Sequence, residues 1–89
     1  MSESEHWIDL VSYILTAYVK DPDAVDVRYV RSSNREYSLG VLKIQVSSSD
    51  RAQVIGKGGR NLEAIKTVLK LHSPQDMIPR LEVSDADDR

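Results

Sequence analysis

The first regular pattern along the chain is an amphipathic one over residues 5–20. Apolar side chains recur there three and four residues apart, which is the spacing of one helix face. This stripe consists of Trp7, Val11, Ile14 and Tyr18, widened by Ile8, Leu15 and Val19. Pro22 disfavours helical geometry in the residue before it, so the predicted helix ends at Asp21-Pro22-Asp23. So wide an apolar face suits a helix that lies across a sheet and leaves one edge free for a partner.

Two segments then alternate apolar and polar residues, as half-buried strands do. They cover residues 25–31 and 37–46, with a turn expected at residues 32–35. The inward-facing residues are Val25, Val27, Tyr29, Leu42, Ile44 and Val46. Lys43 faces outward, and the alternation fails around Gly40, where we expect a bulge. The two strands should pair as an antiparallel hairpin.

The rest of the chain predicts two helices around a glycine-rich loop, followed by a third strand. Residues 47–50, Ser-Ser-Ser-Asp, offer N-caps for a short helix that ends near residue 55. A second helix covers residues 59–71 and stops at Ser73-Pro74. A third strand covers residues 78–84. The apolar residues expected inside are Leu62, Ile65, Val68, Leu69, Leu81 and Val83.

The predicted order is helix, strand, strand, helix, helix, strand. This order is typical of a two-layer α+β domain, with a three-stranded mixed sheet and the helices on one face. A helical crossover joins the second and third strands, so these should run parallel if they are adjacent. The 89 residues form one domain, 1–89, and its ends, residues 1–4 and 85–89, should fray.

Composition excludes several classes of function. The chain has no cysteine, which excludes disulfides, thiol catalysis and cysteine-ligated zinc. His6 and His72 have no partner at metal-ligand or catalytic spacing, and no nucleophile–base pair is recognisable. We therefore expect no enzyme, no cofactor and no metal site. The acidic start differs from a secretory signal, and the apolar run 7–19 is too short to span a bilayer, so the expected location is the cytoplasm.

Charge is distributed unevenly. The net charge of −2 argues at first against a nucleic-acid partner. Residues 51–70, however, hold five cations and one acid, a local balance of +4 that leaves −6 for the remainder. Salt screens charges more than about 10 Å away, so contact with phosphate depends on this local balance.

The cations surround the loop Gly56-Lys57-Gly58-Gly59-Arg60. Glycines let the backbone approach another molecule, and a helix N-terminus with nearby cations favours phosphate. A Walker A loop would need another spacing and a Ser or Thr, and a dinucleotide-binding loop would need a third glycine where Asn61 stands. A plain helix–turn–helix corner would need only one glycine. An RNA-binding arrangement remains.

At this point the sequence resembles the KH domain family, whose pattern is I-G-x-x-G-x-x-[IL]-x-x-I. The matching residues are Ile55, Gly56, Gly59, Leu62 and Ile65. The order of elements resembles a type II KH domain, and the plan of residues 6–84 is similar to the small bacterial single-KH proteins of the KhpA family. The resemblance implies a loop that clamps about four nucleotides of single-stranded RNA. The implied RNA-binding residues are Gly56, Lys57, Gly58, Gly59, Arg60, Arg51, Val54, Ile55, Leu62 and Lys43.

The resemblance also has implications for the groove and for partners. The floor would come from residues such as Ile55 and Ile65, and the opposite wall from residues 42–45 and 72–77. A four-nucleotide grip is weak, and a second copy would strengthen it, which favours a homodimer. The family further suggests a heterodimer with a larger KH protein, KhpB, and a role as a post-transcriptional regulator or RNA chaperone linked to cell elongation or division. The acidic net charge keeps one alternative open, a KH-fold dimerisation module with little RNA binding of its own.

Overall fold

The computed structural model describes residues 3–31, 39–73 and 77–85. These segments form three α-helices and three strands in the predicted order. The elements are α1 Glu3–Tyr18, β1 Asp26–Val30, β2 Val41–Val46, α2 Ser48–Ile55, α3 Arg60–Leu71 and β3 Arg80–Asp85. Short 3-10 turns cover Pro22–Ala24 and Lys57–Gly59. The α+β architecture expected from the hydrophobic pattern is confirmed.

Some element ends differ from the prediction. Residues 3 and 4 belong to α1, and Asp85 belongs to β3, although these positions were expected in the frayed ends. The turn at residues 32–35, the start of the second predicted strand and the outermost tails lie outside the described residues. Helix α1 ends at Tyr18 instead of residue 20. The N–H of Val19 still donates to the carbonyl of Leu15, but those of Lys20 and Asp21 donate to the carboxylate of Asp50.

β2 is the central strand of the sheet. It pairs with β1 in antiparallel fashion, with Val27 opposite Ile44, and with β3 in parallel fashion, with Ile44 opposite Val83. Both pairings confirm the predicted hairpin and crossover. Ile44 is fully buried beneath the helices, whereas Lys43 is exposed on the other face of the sheet. All helices therefore pack on the face that carries Ile44.

The core line of α1 runs along one edge of the predicted apolar stripe. Its buried residues recur every four positions, at Trp7, Val11, Leu15 and, just after the helix, Val19. Ile14 and Tyr18, which the sequence placed at the centre of the stripe, are only half-buried. Residues four apart form a row inclined to the helix axis, and this row lies against the sheet. The other apolar flank of α1 is therefore left near the surface.

Asp50 joins the start of α2 to the end of α1. It is the buried charged residue of the described core, with no exposed surface. Its carboxylate accepts the backbone N–H groups of Lys20 and Asp21, each at 3.0 Å, and the hydroxyl of Ser47 at 2.9 Å. The hydrogen bond from Lys20 is the main reason why the pKa of Asp50 lies below its ordinary value. Ser47 is the N-cap residue of α2, but its side chain makes no capping hydrogen bond to that helix, because its hydroxyl donates to the carboxylate of Asp50.

Two hydrogen bonds also connect the N-terminal part of α1 to the C-terminal end of α3. The indole N–H of Trp7 donates to the hydroxyl oxygen of Ser73 at 2.9 Å, and that hydroxyl donates to the carbonyl of Leu69 at 2.6 Å. None of the helices in the described segments has the length and apolar character that crossing a bilayer requires.

Candidate nucleic-acid interface

The glycine-rich loop lies between α2 and α3, as predicted. Helix α2 closes with the N–H of Gly56 donating to the carbonyl of Ala52 at 2.8 Å. The chain then leaves the helix direction, because Gly56 has φ 79° and ψ 167°. The N–H of Gly59 returns to the carbonyl of Gly56 at 3.1 Å, and α3 begins at the next residue. The loop is thus a single tight turn that joins two helices.

Gly56 is required both by the backbone and by its surroundings. Its φ and ψ lie in a region that only glycine adopts readily. A Cβ at this position would lie 2.7 Å from the backbone nitrogen and 2.8 Å from the Cγ of Asn61. Both atoms are too close for any side chain, so the first glycine of the motif lets α2 and α3 approach each other.

Gly58 has the opposite surroundings. It adopts a left-handed conformation, with φ 64° and ψ 20°, and a Cβ there would meet nothing within 4 Å. Lys57 and Gly58 are both exposed. The space above Gly58 is therefore open, and the N-terminus of α3, which begins at Arg60, adds a partial positive charge beside it.

Three cations near the loop are exposed, and no acidic partner for them lies within the described residues. Among the described residues, no ion pair or side-chain hydrogen bond involves Arg51, Lys57 or Arg60. Lys66, further along α3, is instead paired with Glu63 at 3.1 Å. Among the described residues, Lys57 and Arg60 thus place unpaired positive charge at the loop, where an anion would approach.

The apolar floor implied by the resemblance is smaller than expected. Val54 has no exposed surface and Ile65 only 4%, so both belong to the core. Ile55 and Leu62 are half-buried and do present apolar surface. Of the apolar candidates, these two could touch a base, whereas Val54 supports the loop from below.

Lys43 lies apart from the other candidates. It is in the central strand, on the face away from the helices, between Arg28 of β1 and Glu82 of β3. The strand in contact with α2 is the edge strand β3, so the wall beside α2 comes from β3 and not from residues 42–45. The sequence pattern predicts the strands but does not show which of them lies beside α2.

Sequence reasoning also missed contacts made by the polar side chains of Asn61 and His72. The amide of Asn61 bonds to α2 across the loop, and an asparagine in the first turn of a helix is the only signal for it. The rings of His6 and His72 lie 5.8 Å apart, which brings together two residues expected to be isolated. Within the described residues no third ligand completes a metal site.

Comparison with known proteins gives a consistent result. A family model described as KhpA/KhpB, KH domain, matches residues 8–82. The RNA-binding protein KhpA of Bacillus subtilis (strain 168) is 37% identical over 65 residues, covering 73% of this chain and 75% of that protein. RNA-binding protein KhpA of Caldanaerobacter subterraneus subsp. tengcongensis is 36% identical over 62 residues, covering 70% and 77%. RNA-binding protein KhpA of Borreliella burgdorferi is 30% identical over 69 residues, covering 78% and 79%. No solved structure matches the chain.

Proposed function

The chain belongs to the KhpA/KhpB family of KH domains, and from this premise we propose that it binds single-stranded RNA through the loop between α2 and α3. The family is one of RNA-binding domains and not of enzymes. The observation that carries the proposal is the open surface over Gly58, with three exposed cations, Lys57, Arg51 and Arg60, that have no ion pair in the described part of the chain. An anionic, flexible polymer fits such a surface better than a compact metabolite does.

In the proposed complex, the loop holds the sugar–phosphate backbone. The ammonium group of Lys57 binds phosphate oxygens in charge-assisted contacts, and the positive end of α3 adds to the attraction. Arg60 and Arg51 bind neighbouring phosphates. Ile55 and Leu62 supply the apolar surface against which bases lie. Because the RNA is single-stranded, its bases are unpaired and can contact this surface. A KH groove of this kind holds about four nucleotides.

The first test is binding of an unstructured RNA octamer, followed by fluorescence anisotropy at several salt concentrations. We expect a Kd in the micromolar range, because few contacts are made. Each phosphate contact contributes a slope of about −0.7 in log K against log salt, so two or three contacts give roughly −1.5 to −2. The same RNA annealed to its complement is the control and should bind more weakly. If the octamer does not bind, or if its Kd does not depend on the salt concentration, the proposal is contradicted. The alternative of a dimerisation module with little RNA binding is then favoured.

We further infer that the chain works as a dimer, with a second copy or with the larger KH protein KhpB. One side of α1 supports this: Leu10, Tyr13, Ile14 and Ala17 share it because of their three- and four-residue spacing. Tyr13 is 76% exposed there. If the two loops of a dimer bind the same RNA, the first contact raises the effective concentration of the second loop near that RNA, and the overall affinity increases.

Sedimentation at increasing concentration tests the homodimer. We expect association of the wild-type chain and a monomer for Tyr13→Glu, because a carboxylate would have to be buried in the interface. Thr16→Glu, on the polar side of α1, is the matched control and should still associate. A wild-type chain that stays monomeric throughout would exclude the homodimer and leave the KhpB heterodimer.

With transcripts as ligands, the proposed setting is cytoplasmic post-transcriptional regulation, as a regulator or RNA chaperone, linked to cell elongation or division.

A further inference from the structure

The side chain of Asn61 connects the two helices that flank the loop. Its amide nitrogen Nδ2 donates to the backbone carbonyl of Gln53 at 2.7 Å. Gln53 lies in the last turn of α2, where carbonyl groups lack helical partners, and Asn61 lies in the first turn of α3. Only the nitrogen end of the amide can make this contact, because a carbonyl is an acceptor. Asn61 therefore supplies a missing donor to α2 from across the loop.

Asn61 also packs against the first glycine of the loop. Its backbone nitrogen and its Cγ lie so close to Gly56 that a Cβ there would come within 2.8 Å of both. Within the described part of the chain, no other side-chain hydrogen bond joins α2 to α3. The residue is exposed and belongs to no core cluster. Its contacts thus act on the loop and contribute little to the stability of the core.

We propose that Asn61 is a positioning residue for the phosphate-binding loop. The bond to Gln53 fixes the direction in which α3 leaves α2, and with it the conformation of the loop at residues 56–59. In this proposal Asn61 acts through its bond to Gln53 and its packing against Gly56, and not by contact with phosphate. Glycine-rich backbone loses more conformational entropy on ordering than any other, so a loop ordered in advance binds more tightly. This inference rests on the proposed RNA binding.

Removing the donor should weaken RNA binding without weakening the fold. We expect Asn61→Ala to raise the Kd for the octamer about three- to tenfold, the effect of one hydrogen bond. Its Tm should stay the same or rise, since alanine is a better helix former than asparagine. Asn61→Asp keeps the shape but cannot donate as a carboxylate, so its loss should be at least as large. Gln53→Ala is the matched control and should bind normally, because the acceptor is a backbone atom.

A second measurement on the free protein separates the two proposals. Asn61→Ala should speed amide hydrogen exchange at Gly59 and lower the NMR order parameter of Gly58, whereas Gln53→Ala should change neither. If wild type binds no RNA but these loop changes occur, the positioning role stands and the proposed function fails. Wild-type affinity in Asn61→Ala, or unchanged loop exchange, would overturn the positioning role.

Discussion

A chain carrying both Lys57→Asp and Gly58→Asp should bind single-stranded RNA about 100-fold more weakly than wild type, or not at all. The change removes the exposed ammonium group at the centre of the loop. It also places two carboxylates where phosphate oxygens would lie, and like charges forced together cost several kcal/mol. Binding is measured by anisotropy with the octamer at one fixed, low salt concentration.

The loop geometry explains why this double variant should still fold. Gly58 lies in the left-handed region, which aspartate adopts more readily than most residues do. A Cβ there meets no atom within 4 Å, and Lys57 is exposed. We expect a cost of about 1 kcal/mol, which lowers the Tm by about 4–8 °C in a domain of this size. Thermal unfolding followed by circular dichroism checks this.

The matched control places the same charge change elsewhere. Lys43→Glu combined with Thr16→Glu also moves the net charge from −2 to −5, but on the outer face of the sheet and on the polar side of α1. We expect this control to bind RNA about as well as wild type does. Equal binding by wild type and the loop variant would show that RNA is not held at the loop. Equal weakening of both variants would show that only the overall charge matters.

Asp50→Ala should lower the Tm by about 10 °C at neutral pH. The substitution leaves the backbone N–H groups of Lys20 and Asp21 and the hydroxyl of Ser47 without their buried acceptor. It also loosens α2 from the end of α1. Asp23→Ala is the control, because Asp23 is exposed in the same connecting segment, and its Tm should stay close to that of wild type. A small effect of Asp50→Ala would mean that water replaces the carboxylate easily.

The pH dependence of this effect follows from the lowered pKa of Asp50. Hydrogen bonds to the ionised carboxylate, first of all from the N–H of Lys20, stabilise the charged form, although burial acts in the opposite direction. A carboxyl whose native pKa lies below its unfolded value stabilises the fold fully above about pH 4. That contribution is lost as the pH falls through the lowered pKa. The Tm difference between wild type and Asp50→Ala should therefore be constant above about pH 5 and shrink below pH 4. A difference that grows on acidification would contradict this assignment.

Local patterns predicted the elements well, because they depend on neighbours in sequence. Alternation around Ile44 and helical spacing around Ile65 follow from which side of each element is buried. The loop was also predicted, since three glycines within four residues and Lys57 among them are visible without a fold. The core line of α1 was less certain, because Leu15 and Ile14 are equally apolar and only packing selects between them. Leu15 is fully buried, while Ile14 is half-buried.

By itself, therefore, the sequence determined the order of elements, the α+β class, the family and the position of the glycine-rich loop. The tertiary structure alone decided the order of the strands, which takes Lys43 away from the loop, and the burial of Val54 beneath it. It alone also brought Asp50 to Lys20 and placed Asn61 on Gln53. The physical reason is that periodicity and glycine content are properties of neighbouring residues. Contacts between residues distant in sequence depend on how complete elements pack, and no local pattern encodes that.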